Sequence, residues 1–104
     1  MRMALSLALG LITAPAIAAS ADPTTGEKIV KAECASCHAI GRDAEAKSPD
    51  PKAPRFIDVA KMPSTTELSL KVFLRSSHKN MPNFILAPEE IDSLASYILA
   101  LGGK

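Results

Sequence analysis

Two thiols and an imidazole stand together at Cys34-Ala35-Ser36-Cys37-His38. Thiols three positions apart on a helical turn project from nearly one face. Each can form a thioether to one vinyl group of a single porphyrin, and His38 can then rise beneath the iron. C-x-x-C-H is the spacing of covalent haem attachment, with the histidine as proximal axial ligand. Other chemistries also use paired cysteines. A disulfide suits an exported chain, and a thioredoxin-type redox pair has the same C-x-x-C spacing. The redox pair belongs in a strand–helix–strand pattern, which is missing here. Zinc needs ligand spacings that His38 and the distant His78 do not supply.

A haem held by His38 has a second axial position. Met81 is the expected occupant. Its thioether is a soft, flexible donor, and Pro82 pushes Met81 towards an extended backbone, as in a strap crossing a flat ligand. Met62 also precedes a proline, but it comes before the third predicted helix and leaves less chain to travel around a porphyrin. His78 could make a bis-histidine site, although a histidine at a helix end is more often a surface or hydrogen-bonding group. There is no second C-x-x-C-H, so one haem c is expected.

From Thr25 to the end, the chain resembles a small single-domain class I c-type cytochrome, of the monohaem cytochrome c family. Gly26, Cys34-x-x-Cys37-His38, Pro54, Met81-Pro82-Asn83-Phe84 and a terminal helix containing Tyr97 carry the resemblance. It implies an all-α cytochrome c fold, three to four helices packed around one covalently bound haem. It implies that the first helix crosses the last at Gly26. It also implies that the Pro54 carbonyl accepts a hydrogen bond from His38 Nδ1, leaving Nε2 for iron. That bond would fix the ring and raise its basicity.

The elements that must position these groups are readable locally. Thr24-x-x-Glu27 is a capping-box pattern opening a first helix that runs into the cysteines. Gly26, Ile29 and Val30 share a face, and the absent side chain at Gly26 would let another helix come close. Gly41 through Pro54 reads as loop, with Ser48, Pro49, Pro51 and Pro54. Phe56 to Lys61 reads as a short helical turn ended by Pro63. Ser64-x-x-Glu67 is a second capping box, opening a helix to about Ser77. Its stripe is Leu70, Phe73, Leu74 and Ser77, widened by Leu68 and Val72, with Lys71 and Arg75 outward. Pro88 with Glu89 and Glu90 opens the last helix. Its stripe is Ile91, Leu94, Ala95 and Ile98, and Gly102 stops it. Tyr97 lies beside that stripe. Strand-like alternation is missing, which also favours an all-α chain.

The chain has 104 residues and a formal net charge of +1. Bulk charge gives no support to nucleic-acid binding. Met1-Arg2-Met3, the apolar run Ala4 to Ile12, and the cleavage patterns Ala16-Ile17-Ala18 and Ala19-Ser20-Ala21 have the layout of a secretory signal peptide. Residues 1–21 are assigned to that leader, with cleavage between 18 and 22, and 22–104 to the cytochrome c domain. The apolar run is short for the ~30 Å hydrocarbon core of a membrane, so no span is expected after cleavage. Arg2 is the leader's one charged residue, so the mature chain is formally neutral. At that length a protein-only core is thin, and haem becomes a folding requirement as well as a cofactor.

The expected function is that of a periplasmic electron carrier, not an enzyme, passing single electrons between a redox donor and acceptor through His38/Met81-ligated iron. Partners would dock weakly and transiently at the haem edge. Lys28, Lys31, Lys71, Arg75 and Lys79 could steer them or be ordinary solvated charges. The alternatives are the haem subunit of a periplasmic dehydrogenase complex, and a five-coordinate haem that binds or reduces a small ligand. A propionate partner is not evident; Arg55 is a candidate. The thermodynamic direction follows from burial and thioether ligation, which both disfavour ferric iron.

Overall fold

The computed structural model describes residues 8–13, 21–76 and 80–104. Both proposed cleavage patterns, apart from Ala21, lie outside the described residues, as do Ser77, His78 and Lys79. Four helices follow in order: α1 Pro23–Glu33, α2 Phe56–Lys61, α3 Glu67–Arg75 and α4 Pro88–Leu101. The described residues contain no strand pairing beyond an isolated bridge at Met81, in keeping with an all-α fold. No described helix is long and apolar enough to cross a membrane.

Two helix starts differ from the sequence reading. Asp22, not Thr24, caps α1: its carboxylate accepts from Thr24 N at 3.0 Å and from Thr25 Oγ1 at 3.0 Å. Pro23 explains the shift, because its fixed φ and missing N–H suit the first helical position and pull the start upstream. The α3 start moves downstream. Thr66 Oγ1 accepts from Ser69 N at 3.1 Å, and Ser69 Oγ accepts from Thr66 N at 2.8 Å. The reciprocal pair of a capping box is therefore made by Thr66 and Ser69, not Ser64 and Glu67.

Helix α4 is the spine. Ile91, Leu94, Ala95, Ile98 and Leu101 are buried along it, and α1, α2 and α3 all pack on it. The α1 crossing is at Gly26, where a Cβ would lie 2.1 Å from Ser93 O and 2.9 Å from Tyr97 Cβ. Only glycine allows that approach. Val30 and Leu94 are fully enclosed beside it, and Tyr97 donates its hydroxyl to Ile40 O at 2.6 Å.

At the far end Gly102 does for α2 what Gly26 does for α1: a Cβ there would meet Ala60 O at 2.6 Å. The left-handed residue after α4 is Gly103, φ 73°. Lys104 Nζ then bonds Met62 O at 2.9 Å and Thr65 O at 2.8 Å, holding the α2–α3 turn.

The α3 stripe is narrower than its sequence implies. Leu70 is buried, Leu74 half-buried and Phe73 turned to the cavity beside His38, but Leu68 and Val72 are exposed. The cause is Lys71. It turns towards α4 and pairs with Glu67 at 2.7 Å and Asp92 at 3.1 Å, so the core side of α3 is part polar and Leu68 and Val72 are rotated out.

Candidate functional site

Helix α1 hands over directly to the cysteine motif. Cys34 is its C-cap residue. A tight turn follows, with Cys37 N bonded to Cys34 O at 3.2 Å and His38 N to the same carbonyl at 3.0 Å. The two thiols therefore sit on one turn just past the helix rather than within it. Both cysteines are free; Cys34 is buried and Cys37 half-buried. Burial foremost, with help from the Glu33 carboxylate, pushes the Cys34 thiol up to about 11. A reactive redox pair has a depressed thiol instead, so this environment does not suit a thioredoxin-type reaction.

His38 is held from two sides. Its Nδ1 lies 2.6 Å from Pro54 O. A carbonyl only accepts, so Nδ1 carries the proton and Nε2 keeps its lone pair. The ring also packs on Phe56, with centroids 4.8 Å apart. The loop that supplies Pro54 is laced to the motif by backbone bonds. Asp50 N donates to Cys37 O at 3.1 Å and Phe56 N to Ala39 O at 2.9 Å. Ser48 Oγ accepts from Ala39 N at 3.1 Å.

Met81 comes from the segment between α3 and α4. Asn80, φ 70°, is the one described non-glycine residue in the left-handed region; Asn tolerates that conformation better than most residues. The chain turns there into the strap Met81–Ala87. Two cavities meet at this strap. One, about 270 Å³, is lined by Cys34, Leu74, Met81, Ile91 and Leu94. The other, about 170 Å³, is lined by Cys37, His38, Pro54, Phe73 and Met81. Met81 and Pro82 border both. All four predicted site residues thus border one two-part slot, whose walls mix apolar side chains with Glu33, Arg75 and Asn83 in the larger part and Asp50 and Lys52 in the smaller. Free thiols, an imidazole presenting Nε2, a thioether and apolar stretches of wall fit a covalently bound haem.

Other candidates separate from the slot. Met62 is half-exposed on the α2–α3 turn, outside both cavities. His78 lies outside the described residues. Arg55, the candidate propionate partner, is engaged elsewhere. Its Nε and Nη2 grip both Asp58 oxygens at 2.7 and 2.8 Å, and Nη1 reaches Ala44 O and Ala46 O. Of the five supposed steering cations, Lys31 pairs with Glu27 at 3.0 Å and Lys71 is spent between α3 and α4.

Ser48, Asn80 and Asp58 were missed as site-forming residues, and Arg55 was expected in a different role, as a propionate partner. The i,i+3 spacing of Arg55 and Asp58 was a usable signal. Ser48 and Asn80 carried none.

Comparison with known proteins bears on the same region. The family described as "Cytochrome C oxidase, cbb3-type, subunit III" matches residues 21–98. A curated relative, cytochrome c6 of Anabaena variabilis, is 33% identical over 81 residues, covering 76% of this chain and 91% of the relative. No solved structure gives a significant match. The chain belongs to the c-type cytochromes: it is a small monohaem member of that family, with haem c covalently bound, and an electron carrier.

Proposed function

We propose that this protein carries single electrons in the bacterial periplasm, with thioethers at Cys34 and Cys37 and axial ligation by His38 and Met81. The observation that carries this reading is the 2.6 Å contact between His38 Nδ1 and Pro54 O. It fixes the tautomer and presents Nε2, the arrangement a proximal ligand requires. When bound, haem supplies a one-electron couple. The protein's residues do the rest. Asn80 turns the strap so that Met81 borders both cavities. Leu74, Ile91 and Leu94 form an apolar stretch of wall that would disfavour added positive charge on a bound haem. Were His38 and Met81 both to ligate the iron, no position would be left for a substrate, and transfer would need no bond making.

Residues 1–21 are read as the exported leader, leaving 22–104 as the working domain. The donor and acceptor are redox proteins that dock briefly at the haem edge. Lys31 and Lys71 are paired with acids of the same chain, so a steering rim would have to draw mainly on Lys28, Arg75 and Lys79. A second reading, the haem subunit of a larger oxidoreductase, draws on the oxidase-subunit description of the matching family. Recovery from the periplasm in a stable complex would favour it over a free carrier.

The test is the mature protein, produced with haem-maturation machinery. Intact mass should equal 22–104, or a start within 19–22, plus one haem, and the ferric spectrum should show the far-red band of thioether ligation. Reduced protein should resist carbon monoxide. Met81→Ala should keep the covalent haem, lose that band, lower the potential and admit carbon monoxide. Loss of the band in Met62→Ala but not in Met81→Ala would overturn the ligand assignment.

A further inference from the structure

We propose that Arg55 is a positioning residue for the proximal histidine, setting the strength of the His38–Pro54 hydrogen bond and through it the reduction potential. This rests on the reading of His38 as the iron ligand. The acceptor carbonyl belongs to a loop without regular structure, tied to the cysteine motif by backbone bonds at Asp50 and Phe56; a side chain adjoining Pro54 supplies the remaining restraint. Arg55 is the next residue. Its guanidinium binds both oxygens of Asp58 in α2 and the carbonyls of Ala44 and Ala46 in the loop. One side chain thus joins the middle of the loop to the first turn of α2, with the Pro54 carbonyl at the junction. Asp43 and Glu45 add negative field around the same group.

All three guanidinium nitrogens are occupied, so the group is committed to holding backbone. A planar fork can bind a carboxylate with two nitrogens while a third reaches carbonyls; a lysine ammonium cannot copy that geometry. Loosening the fork lets the Pro54 carbonyl drift from Nδ1. The imidazole then becomes a poorer donor, ferric iron loses support, and the potential rises. Simple removal of a cation has the opposite sign: it favours ferric iron and lowers the potential.

The experiment compares holoprotein, Arg55→Gln and Arg55→Lys by redox titration, and by exchange of the His38 Nδ1 proton followed by NMR. The wild type is first checked for covalent haem and His/Met ligation; failure there sinks the functional reading and not the clamp. Both variants should shift the potential upward, by roughly threefold in the ferrous-to-ferric ratio at fixed ambient potential, below the ten- to hundredfold typical of direct outer-shell partners. The Nδ1 proton should exchange roughly tenfold faster. Arg55→Lys keeps the charge, so a potential unchanged in that variant, a downward shift in Arg55→Gln, or unaltered Nδ1 exchange in both would overturn the proposal. Should Arg55→Gln fail to fold, Arg55→Lys alone decides it.

Discussion

The two halves of this small molecule are held by different means. On one side α1 crosses α4 at Gly26, backbone against backbone, with Val30 and Leu94 sealed beside it. On the other, the loop from Gly41 to Pro54 and the strap from Met81 to Ala87 contain no helix. The loop is tied down by single hydrogen bonds and the Arg55 fork. The first half is organised by close packing. The second is a frame around a slot that fits a haem. The proposed haem-binding residues are divided between them: Cys34 ends α1 and sits in the hydrophobic core, Cys37 and His38 lie on the turn between α1 and the loop, and Met81 opens the strap. On the proposed function, a rigid crossing would present one covalent anchor and a more adaptable frame the iron ligands.

The largest test of this contrast removes the slot's contents. Cys34→Ala with Cys37→Ala should abolish stable folding, because a chain this short cannot replace the lost apolar core. A cooperative thermal transition in the colourless double variant would show that the helix crossing suffices alone. Next is the crossing itself. Gly26→Ala places a methyl within bonding distance of a carbonyl and should cost about 3 kcal/mol, measured by denaturant unfolding, with the His/Met spectrum retained until the chain unfolds. A smaller effect is expected at Thr66, whose cap is local to α3; Thr66→Ala should cost about 1 kcal/mol.

The gentlest test is acid. Asp58 is held below its ordinary 3.8 mainly by the hydrogen bond from Arg55. A lowered carboxylate stabilises the fold above its unfolded value and loses that contribution as pH falls through the lowered one. Amide protection in the loop should therefore decline below about pH 4, as should that in the first turn of α1, where hydrogen bonds from Thr24 and Thr25 hold the Asp22 cap low in the same way, while the α4 amides at the Gly26 crossing stay protected. Loss of protection in α4 together with the loop would contradict the division.

The packed half was the more legible from sequence. Its information is periodic and local: Ile91, Leu94, Ala95 and Ile98 repeat on one face, Pro88 marks a start, and Gly26 marks a close approach. The haem motif was legible because covalent chemistry demands a fixed spacing. Fine boundaries failed where two capping residues competed. Asp22 prevailed over Thr24 because Pro23 followed it, and Thr66 over Ser64 because Ser69 could answer it. Long-range pairings were invisible for a physical reason. Nothing near Lys71 announces Asp92, so Lys71 was read as outward and Leu68 and Val72 as core. The frame was least legible, since a loop's hydrogen bonds, such as Ser48 to Ala39, depend on a path that no periodicity encodes.

The unequal setting of the two sulfurs has a consequence for assembly. Cys34 retains only 6% of its accessible surface and touches the main cluster of buried side chains. The same residue lines the larger cavity of the slot, so it belongs to the packed core and to the pigment's wall at once. A thioether formed there would couple pigment attachment to the docking of α1 on α4, and would leave a finished molecule unable to trade its pigment for another.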